Sequence, residues 1–493
     1  MAVVTTFSER EERLDRVRRR IGLWLGPALF LAVLAAPLDL PVPAHRLAAV
    51  MVLVMTWWIT EPVPLAATAL LGPALAALLG VARARDVFAP FGDPVIFLFL
   101  GSFLVAEALR VHGLDRRIAL AVLGLRGVAR SPARIRLAVA LVTAGLSMWI
   151  SNTAAAAMML PIALGLVRAV AAAGSRESPR GILLLVAIGA SLGGMATPVG
   201  TPPNLIALGF LERAGTPLDF LSFMAIGVPL SLTLMVVTLL AVRGLVPQPG
   251  KGPADVGGWV AHERQTQAPW AAGQWACAVA FAAAVTLWLL PGVITLFGPP
   301  PGTLPRLVAD RLEEAVVAVL AAGLLFLWPV GGRRALTWEE AVRVDWGTLL
   351  LFGGGLSLGK MLFDTGLAGV AGRGVVEATG VTSLWGLTAL VLVTTIVLTE
   401  LASNVATVSM LAPLVLALTQ ELGLPPLPPL LAACFGASMG FMLPVGTPPN
   451  AIVYGTGLIP ITAMIRVGVV VDVLGFFVIF GVLRLLCPLL GMA

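Results

Sequence analysis

Charge is scarce in this chain. Only 12% of its 493 residues are charged, where a soluble protein of ordinary composition carries roughly a quarter. Cysteine and histidine are scarcer still, with three of each. Cys277, Cys434 and Cys487 stand far apart in apolar sequence, which excludes a disulfide framework and any cysteine metal-binding spacing. His45, His112 and His262 are equally scattered, so a zinc site or a histidine-based triad has almost nothing to draw on. Apolar residues fill the remaining space: 58% of the chain is hydrophobic and the mean hydropathy is +0.97. Apolar runs near the ~20 residues of a bilayer crossing recur from end to end. The fold class is therefore an all-α polytopic membrane protein. The net charge of +6 does not point to nucleic acid. Its basic residues fall in short loops between apolar spans, as the positive-inside rule expects.

Taken in order, residues 1–20 read as a polar cytoplasmic tail with six arginines, helical near the membrane. Residues 10–36 have the basic start and apolar core of a signal peptide. With so many spans following, an uncleaved first transmembrane helix within 21–45 is the better reading. Residues 46–245 form a first unit, 246–272 a polar cytoplasmic linker, and 273–493 a second unit. The first unit contains spans at 46–60, 65–80 and 94–110, with Glu61-Pro62-Val63-Pro64 as a turn, then a basic amphipathic surface segment at 111–136. A hairpin at 132–170 follows, with arms either side of Ser151-Asn152-Thr153, neither arm reaching ~20 residues. A helix at 181–213 is broken over 197–204, and 219–242 returns to the cytoplasm. The second unit repeats the plan. Spans at 274–290, 313–328 and 346–363 precede a short Gly-rich segment to Gly380, a hairpin at 383–420 and a broken helix at 429–458. The last span is 461–490.

The copies align by number. Asp93 and Asp345, Gly101 and Gly353, Ser151 and Ser403, and Pro161 and Pro413 are each separated by 252 residues, and the two Thr-Pro-Pro-Asn segments by 246. If the tail is inside and six spans precede the linker, the second unit starts from the opposite side, so the repeats are inverted. Twenty-three of the 32 basic residues then lie on the cytoplasmic side and eight outside, with Lys360 in a span. That asymmetry agrees with the topology.

Each copy places a polar, turn-forming cluster inside apolar sequence. The first is Ser151-Asn152-Thr153 with Gly200-Thr201-Pro202-Pro203-Asn204, and the second is Ser403-Asn404-Val405 with Gly446-Thr447-Pro448-Pro449-Asn450. Irregular backbone inside a bilayer must line a cavity or be buried in protein, and paired breaks in two halves point to a transporter's binding site. A half-helix beginning at mid-membrane turns free N–H groups toward an anion. Thr suits its cap and Pro its first turn. Ser147, Ser151, Asn152 and the Gly200 carbonyl supply oxygens for Na⁺, as do Thr399, Ser403, Asn404 and Gly446. Neither cluster contains Arg or Lys, so an anion here depends on dipoles, neutral donors and bound cations, which favours coupled symport.

The bland alternative, that these small polar residues merely pack helices, suits one cluster better than two matched pairs. Gly-x-Ser-x-Gly occurs at 189–193, 355–359 and 436–440. It marks a nucleophile elbow in hydrolases, but apolar helices and distant histidines make small-residue packing the better reading. Glu107, Lys360, Asp364, Glu400 and Asp472 lie in or near the membrane. Glu400 sits beside the second cluster with Met148 as its counterpart in the first, and its reading stays divided between function and structure.

At these clusters, and at Trp57-Trp58-Ile59-Thr60-Glu61-Pro62, the sequence resembles the divalent-anion:sodium symporter family, which includes the INDY-type dicarboxylate transporters. The resemblance implies eleven spans, two re-entrant hairpins, a homodimer in a bacterial cytoplasmic membrane, and an elevator in which a transport domain moves against a scaffold. The N-terminus would be cytoplasmic and the C-terminus extracytoplasmic. It implies Na⁺-coupled uptake of succinate, malate or fumarate. Sodium ligands would be Ser147, Ser151, Asn152 and Gly200, and Thr399, Ser403, Asn404 and Gly446. The dicarboxylate would meet Asn152, Thr153, Thr201, Pro202, Asn404, Val405, Thr447 and Pro448. Val405 stands where many bacterial members carry Thr, which removes one hydroxyl. Na⁺-independent dicarboxylate exchange, or transport of sulfate or citrate, are the alternatives on the same fold.

Overall fold

Backbone polar groups in an apolar medium must find partners within their own segment, and the chain meets that demand with helix almost throughout. The computed structural model describes residues 9–125, 128, 131–172, 179–246, 257–300, 302–444 and 446–491. Residues 1–8 of the expected tail, Arg126, Arg130, Arg176, Pro301 and residues 247–256 of the expected linker lie outside them. The described residues form 23 α-helices and one two-stranded ribbon, β1 (Pro329–Val330) with β2 (Arg333–Arg334).

The first half comprises α1 (Glu9–Ala35), α2 (Val42–Thr60), α3 (Leu65–Leu78), α4 (Ala84–Phe88), α5 (Pro94–Val111), α6 (Leu114–Leu123), α7 (Pro132–Ser147), α8 (Asn152–Ala172), α9 (Pro179–Gly194), α10 (Pro202–Arg213) and α11 (Phe220–Leu245). A short α12 (Gly257–Gln265) follows. The second half comprises α13 (Ala272–Leu296), α14 (Leu304–Arg311), α15 (Glu314–Leu327), α16 (Trp338–Ala341), α17 (Trp346–Asp364), α18 (Leu367–Thr379), α19 (Leu384–Leu401), α20 (Asn404–Leu422), α21 (Leu427–Ala437), α22 (Pro448–Tyr454) and α23 (Ile461–Leu489). Among the described residues, nine helices are long and apolar enough to cross a membrane: α2, α5, α8, α11, α13, α17, α19, α20 and α23. Rows of large apolar side chains lie exposed on them, such as Leu232, Val236 and Leu240 at four-residue spacing on α11. A soluble monomer rarely shows such a face, whereas lipid covers it at no cost.

Helix starts follow the polar residues. Asp93 caps α5 by accepting from Val95 N at 3.1 Å, and Asp345 caps α17 by accepting from Thr348 N at 3.1 Å. Helix pairings recur in mates. α5 packs on α15 as α3 packs on α17; α9 packs on α22 as α10 packs on α21; α8 packs on α22 as α10 packs on α20. Each of these pairs joins one half to the other. Glycine permits the closest of them: a Cβ at Gly101 would lie 2.4 Å from the Ala318 backbone, and one at Gly354 would lie 2.3 Å from the Ala69 carbonyl.

The Gly-rich segment before Gly380, given no secondary structure from the sequence, is helix α18, with Gly366 and Gly380 taking left-handed φ as caps at its two ends. Two sequence expectations need correction. The second arm of the first hairpin, α8, is 21 residues long rather than shorter than a span, since its Ala-rich end continues the helix to Ala172. The breaks also shift. α10 begins at Pro202, so the first break is 195–201, and the second, expected around 444–450, begins after Ala437. Proline at the first helical position explains why Pro202 opens a helix rather than prolonging the break.

Candidate functional site

The site is built on two helix-helix corners and two helix breaks. α7 ends at Ser147 and α8 begins at Asn152, so Asn152 projects from the first turn after a short corner. Ser147 Oγ donates to Asn152 Oδ1 at 2.8 Å. The second half repeats the contact: Thr399 Oγ1 lies 2.8 Å from Asn404 Oδ1, at the corner between α19 and α20. Thr399 Oγ1 also lies 2.6 Å from the Ala437 carbonyl, so its single proton serves one of two acceptors. In each half, a hydroxyl and an amide oxygen five residues apart are thus held side by side.

The breaks are stapled by asparagine. Asn204 Nδ2 donates to the carbonyls of Gly194 and Thr197 at 2.8 and 2.7 Å. Asn450 Nδ2 donates to those of Gly440 and Leu443, both at 3.0 Å. All three members of each set are separated by 246 residues. The sequence reading singled out the Thr-Pro-Pro-Asn segments but gave no role to their asparagines; equal placement in both copies was the signal. Cys434 Sγ donates to Asn204 Oδ1 at 3.1 Å, which links the second half's broken helix to the first's.

Each break lies against its corner. A Cβ at Gly194 would lie 2.3 Å from Asn152 Oδ1, and one at Gly200 would lie 2.5 Å from the Gly194 carbonyl. Asn152 Nδ2 stands 3.5 Å from Thr201 Oγ1. In the second half a Cβ at Gly440 would lie 3.6 Å from Asn404 Oδ1, and one at Gly446 would lie 3.6 Å from the Gly440 carbonyl, so that break is looser. Thr447 accepts from Asn450 N at 3.4 Å as a helix cap should. Thr201 makes no such cap bond, contrary to expectation, and its hydroxyl faces Asn152 instead.

One cavity of about 930 Å³ takes in both corners and both breaks. Of the residues expected to bind, Ser151, Asn152, Thr153, Thr201, Pro202, Ser403, Asn404, Val405, Gly446, Thr447 and Pro448 line it. Ser147, Thr399 and Gly200 do not; they are buried behind it, with Ser147 and Thr399 reaching it through their asparagines. The cavity is also lined by charged residues: Asp15, Arg18, Arg19, Glu61, Glu107, Arg110, Arg343 and Asp345. Arg110 pairs with Glu107, and Arg19 Nε pairs with Asp15 at 2.7 Å. Arg18 pairs with Asp15 at 2.8 Å, approaches Glu61 at 3.8 Å, and donates to the Leu401 carbonyl at 3.3 Å. Glu61 is the one non-glycine residue with positive φ (50°) among the described residues. Burial pushes its carboxyl above the ordinary carboxylate range, against the pull of Arg18 and Arg19.

The oxygens at each corner are hard, neutral and close together, the donor set that suits an alkali cation and offers nothing to a thiolate-loving metal. The Gly-x-Ser-x-Gly segments pack helices. A Cβ at Gly193 would lie 2.2 Å from the Ala144 carbonyl, and the buried Ser191 hydroxyl has no hydrogen-bond partner among the described residues. Two of the histidines are occupied elsewhere: ring nitrogens of His45 and His112 meet the carbonyls of Val33 and Ala335.

A family model described as the sodium:sulfate symporter transmembrane region matches residues 22–493. The chain belongs to the sodium:sulfate symporter family. Among similar members, the sodium-dependent dicarboxylate transporter SdcS of Staphylococcus aureus strain MRSA252 is 33% identical, over 99% of this chain and 95% of the relative. SdcS of strain bovine RF122 gives the same identity and coverage. Solved structures share the fold at low identity. The YdaH transporter of Alcanivorax borkumensis matches with a TM-score of 0.56 and 15% identity, over 92% of this chain and 99% of that one. MtrF of Neisseria gonorrhoeae matches with a TM-score of 0.55 and 16% identity, over 94% and 96%. The family's transmembrane region thus accounts for everything after the N-terminal tail, both corners and both breaks included.

Proposed function

We propose that this family member is a Na⁺-coupled symporter of C4-dicarboxylates, a transporter and not an enzyme, working across a bacterial cytoplasmic membrane. The observation that carries the reading is the duplicated corner: Ser147 with Asn152 and Thr399 with Asn404, each hydroxyl 2.8 Å from its amide oxygen, both opening on one cavity. Na⁺, carried as co-substrate, is assigned to Ser147, Ser151, Asn152 and Gly200, and to Thr399, Ser403, Asn404 and Gly446. For each hydroxyl to face a cation, its proton must rotate off the amide oxygen, which a hydroxyl does freely.

The anion is assigned to Asn152, Thr153, Thr201, Pro202, Asn404, Val405, Thr447 and Pro448. Two related halves offer two related sets of donors. That suits a ligand with two separated carboxylates better than a compact tetrahedral oxyanion. No Arg or Lys lies in either corner or break, so Na⁺ beside the site supplies the positive charge that a dianion needs in a low dielectric. The 33% identity to a sodium-dependent dicarboxylate transporter supports both the ion and the substrate class.

The reciprocal pairing of α3, α5, α15 and α17 supports inverted repeats, with eleven spans once α1, α3, α15 and the two broken helices are counted, and with α7–α8 and α19–α20 as re-entrant hairpins. Arg18 and Arg19 of α1 line the cavity, so with an N-terminus on the cytoplasmic side the cavity is read as inward-facing. An elevator motion within a homodimer completes the reading.

Uptake of labelled succinate into proteoliposomes tests it. Uptake should require an inward Na⁺ gradient, be competed by malate and fumarate, and vanish in Asn152→Ala. Equal uptake with choline in place of Na⁺, or uptake only into vesicles preloaded with dicarboxylate, contradicts symport.

A further inference from the structure

The two halves differ most sharply at one buried acid. Glu400 stands on α19, three residues before Ser403, where the first half has Met148. Asp472 lies on α23, a helix from outside the hairpin. Only 3% of Glu400 and 4% of Asp472 is exposed, and the two carboxyls face each other. Glu400 Oε1 is engaged, accepting from the backbone N–H groups of Phe441 at 2.7 Å and Met442 at 2.9 Å. Glu400 Oε2 and both oxygens of Asp472 have no close donor among the described residues when both acids are ionised, although the Leu443 N–H lies near Glu400 and the two carboxyls stand within hydrogen-bonding reach of each other. No arginine or lysine among them acts on Asp472; the charge it faces is that of Glu400. The free oxygens are beside the second break: a Cβ at Gly446 would lie 3.9 Å from Glu400 Oε2.

Two carboxylates buried together without a counter-charge repel each other and lose their hydration, so either protons neutralise them or a cation joins them. A shared proton would link one oxygen to one other and leave a third without a partner. A metal cation can engage all three, and hard oxygens from two helices are the ligands an alkali ion takes. We propose that Glu400 and Asp472 bind a Na⁺ of their own, separate from the ions assigned to the two corners. The ion's identity rests on the sodium-coupled reading above. Its consequence is local. Glu400 holds the middle of the second break through Phe441 and Met442, and that break carries Gly446 and Thr447. A cation that joins Glu400 to Asp472 therefore fixes the looser of the two breaks against α23 before the anion arrives.

Equilibrium binding of ²²Na⁺ to the purified full-length protein, without substrate, tests this. Wild type should bind three Na⁺ per chain, and Asp472→Asn and Glu400→Gln two each. Two ions in wild type, or an equal count in wild type and Asp472→Asn, overturns the proposal and leaves the corner sites standing. No saturable Na⁺ at all overturns the sodium-coupled reading with it. The wild-type count decides the matter even where a variant fails to fold.

Discussion

Val405 is a cavity-lining position where the two corners differ in chemistry: Thr153 offers a hydroxyl to the cavity and Val405 offers two methyls in its place. Val405→Thr keeps the shape and restores the missing donor. One neutral hydrogen bond contributes about 0.5–1.5 kcal/mol, so the KM for succinate should fall roughly two- to tenfold. A KM unchanged or raised in the uptake assay would place that side chain away from the anion. Glu61 makes a second residue-scale prediction. Its folded carboxyl titrates above the ordinary value of 4.5, so the contribution it makes to stability is full below that value and is lost as pH rises through the raised one. Glu61→Gln removes the loss. Thermal unfolding should therefore show the variant gaining on wild type as pH rises above 4.5; a gap that is constant or narrows would contradict the assignment. The identity of these residues was legible from the sequence. The left-handed backbone at Glu61 was not, because nothing in Trp-Ile-Thr-Glu-Pro-Val-Pro demands positive φ from a glutamate.

The elements that matter are the breaks, and the asparagines that hold them. Asn204→Ala and Asn450→Ala each strand two buried carbonyls, at about 1–3 kcal/mol per lost partner set. Each should lower the melting temperature of the purified protein by several degrees, in contrast to Asn152→Ala, whose main effect should be on uptake. Equal melting temperatures for all three would remove the staple from the account. The breaks also differ from each other. Gly200→Ala would drive a Cβ to 2.5 Å from the Gly194 carbonyl, whereas Gly446→Ala meets nothing closer than 3.4 Å. Overpacking of that kind costs roughly 1–3 kcal/mol, so Gly200→Ala should be destabilised and Gly446→Ala close to wild type in thermal unfolding.

Proline pairs announced both breaks in the sequence, and the long apolar runs announced the spans. The misread or unassigned elements were those whose composition contradicts their environment. The Gly-rich segment that is α18 has no assignment from its composition, and its alignment with α6 could have supplied the helix. The end of α21 meets the Thr399 hydroxyl, which donates to the Ala437 carbonyl from 38 residues away, and residue order does not reveal that.

At the scale of the molecule, the two halves interlock by exchanging helix partners, so neither corner can form its side of the cavity alone. Membership of the family could be reached from the paired motifs, because both members of each pair sit at a constant offset. The pairing of Glu400 with Asp472 could not, since it joins α19 to a helix about seventy residues on with no matching pair in the first half. The central claim is that two halves build one site for one dianion. It is tested most directly by equilibrium binding of ¹⁴C-succinate to the purified protein in saturating Na⁺, with wild type, Asn152→Ala and Asn404→Ala compared. One succinate per chain in wild type, lost in both variants, is the result expected. Full binding at wild-type affinity in either variant, or two succinates per chain, would contradict a shared site.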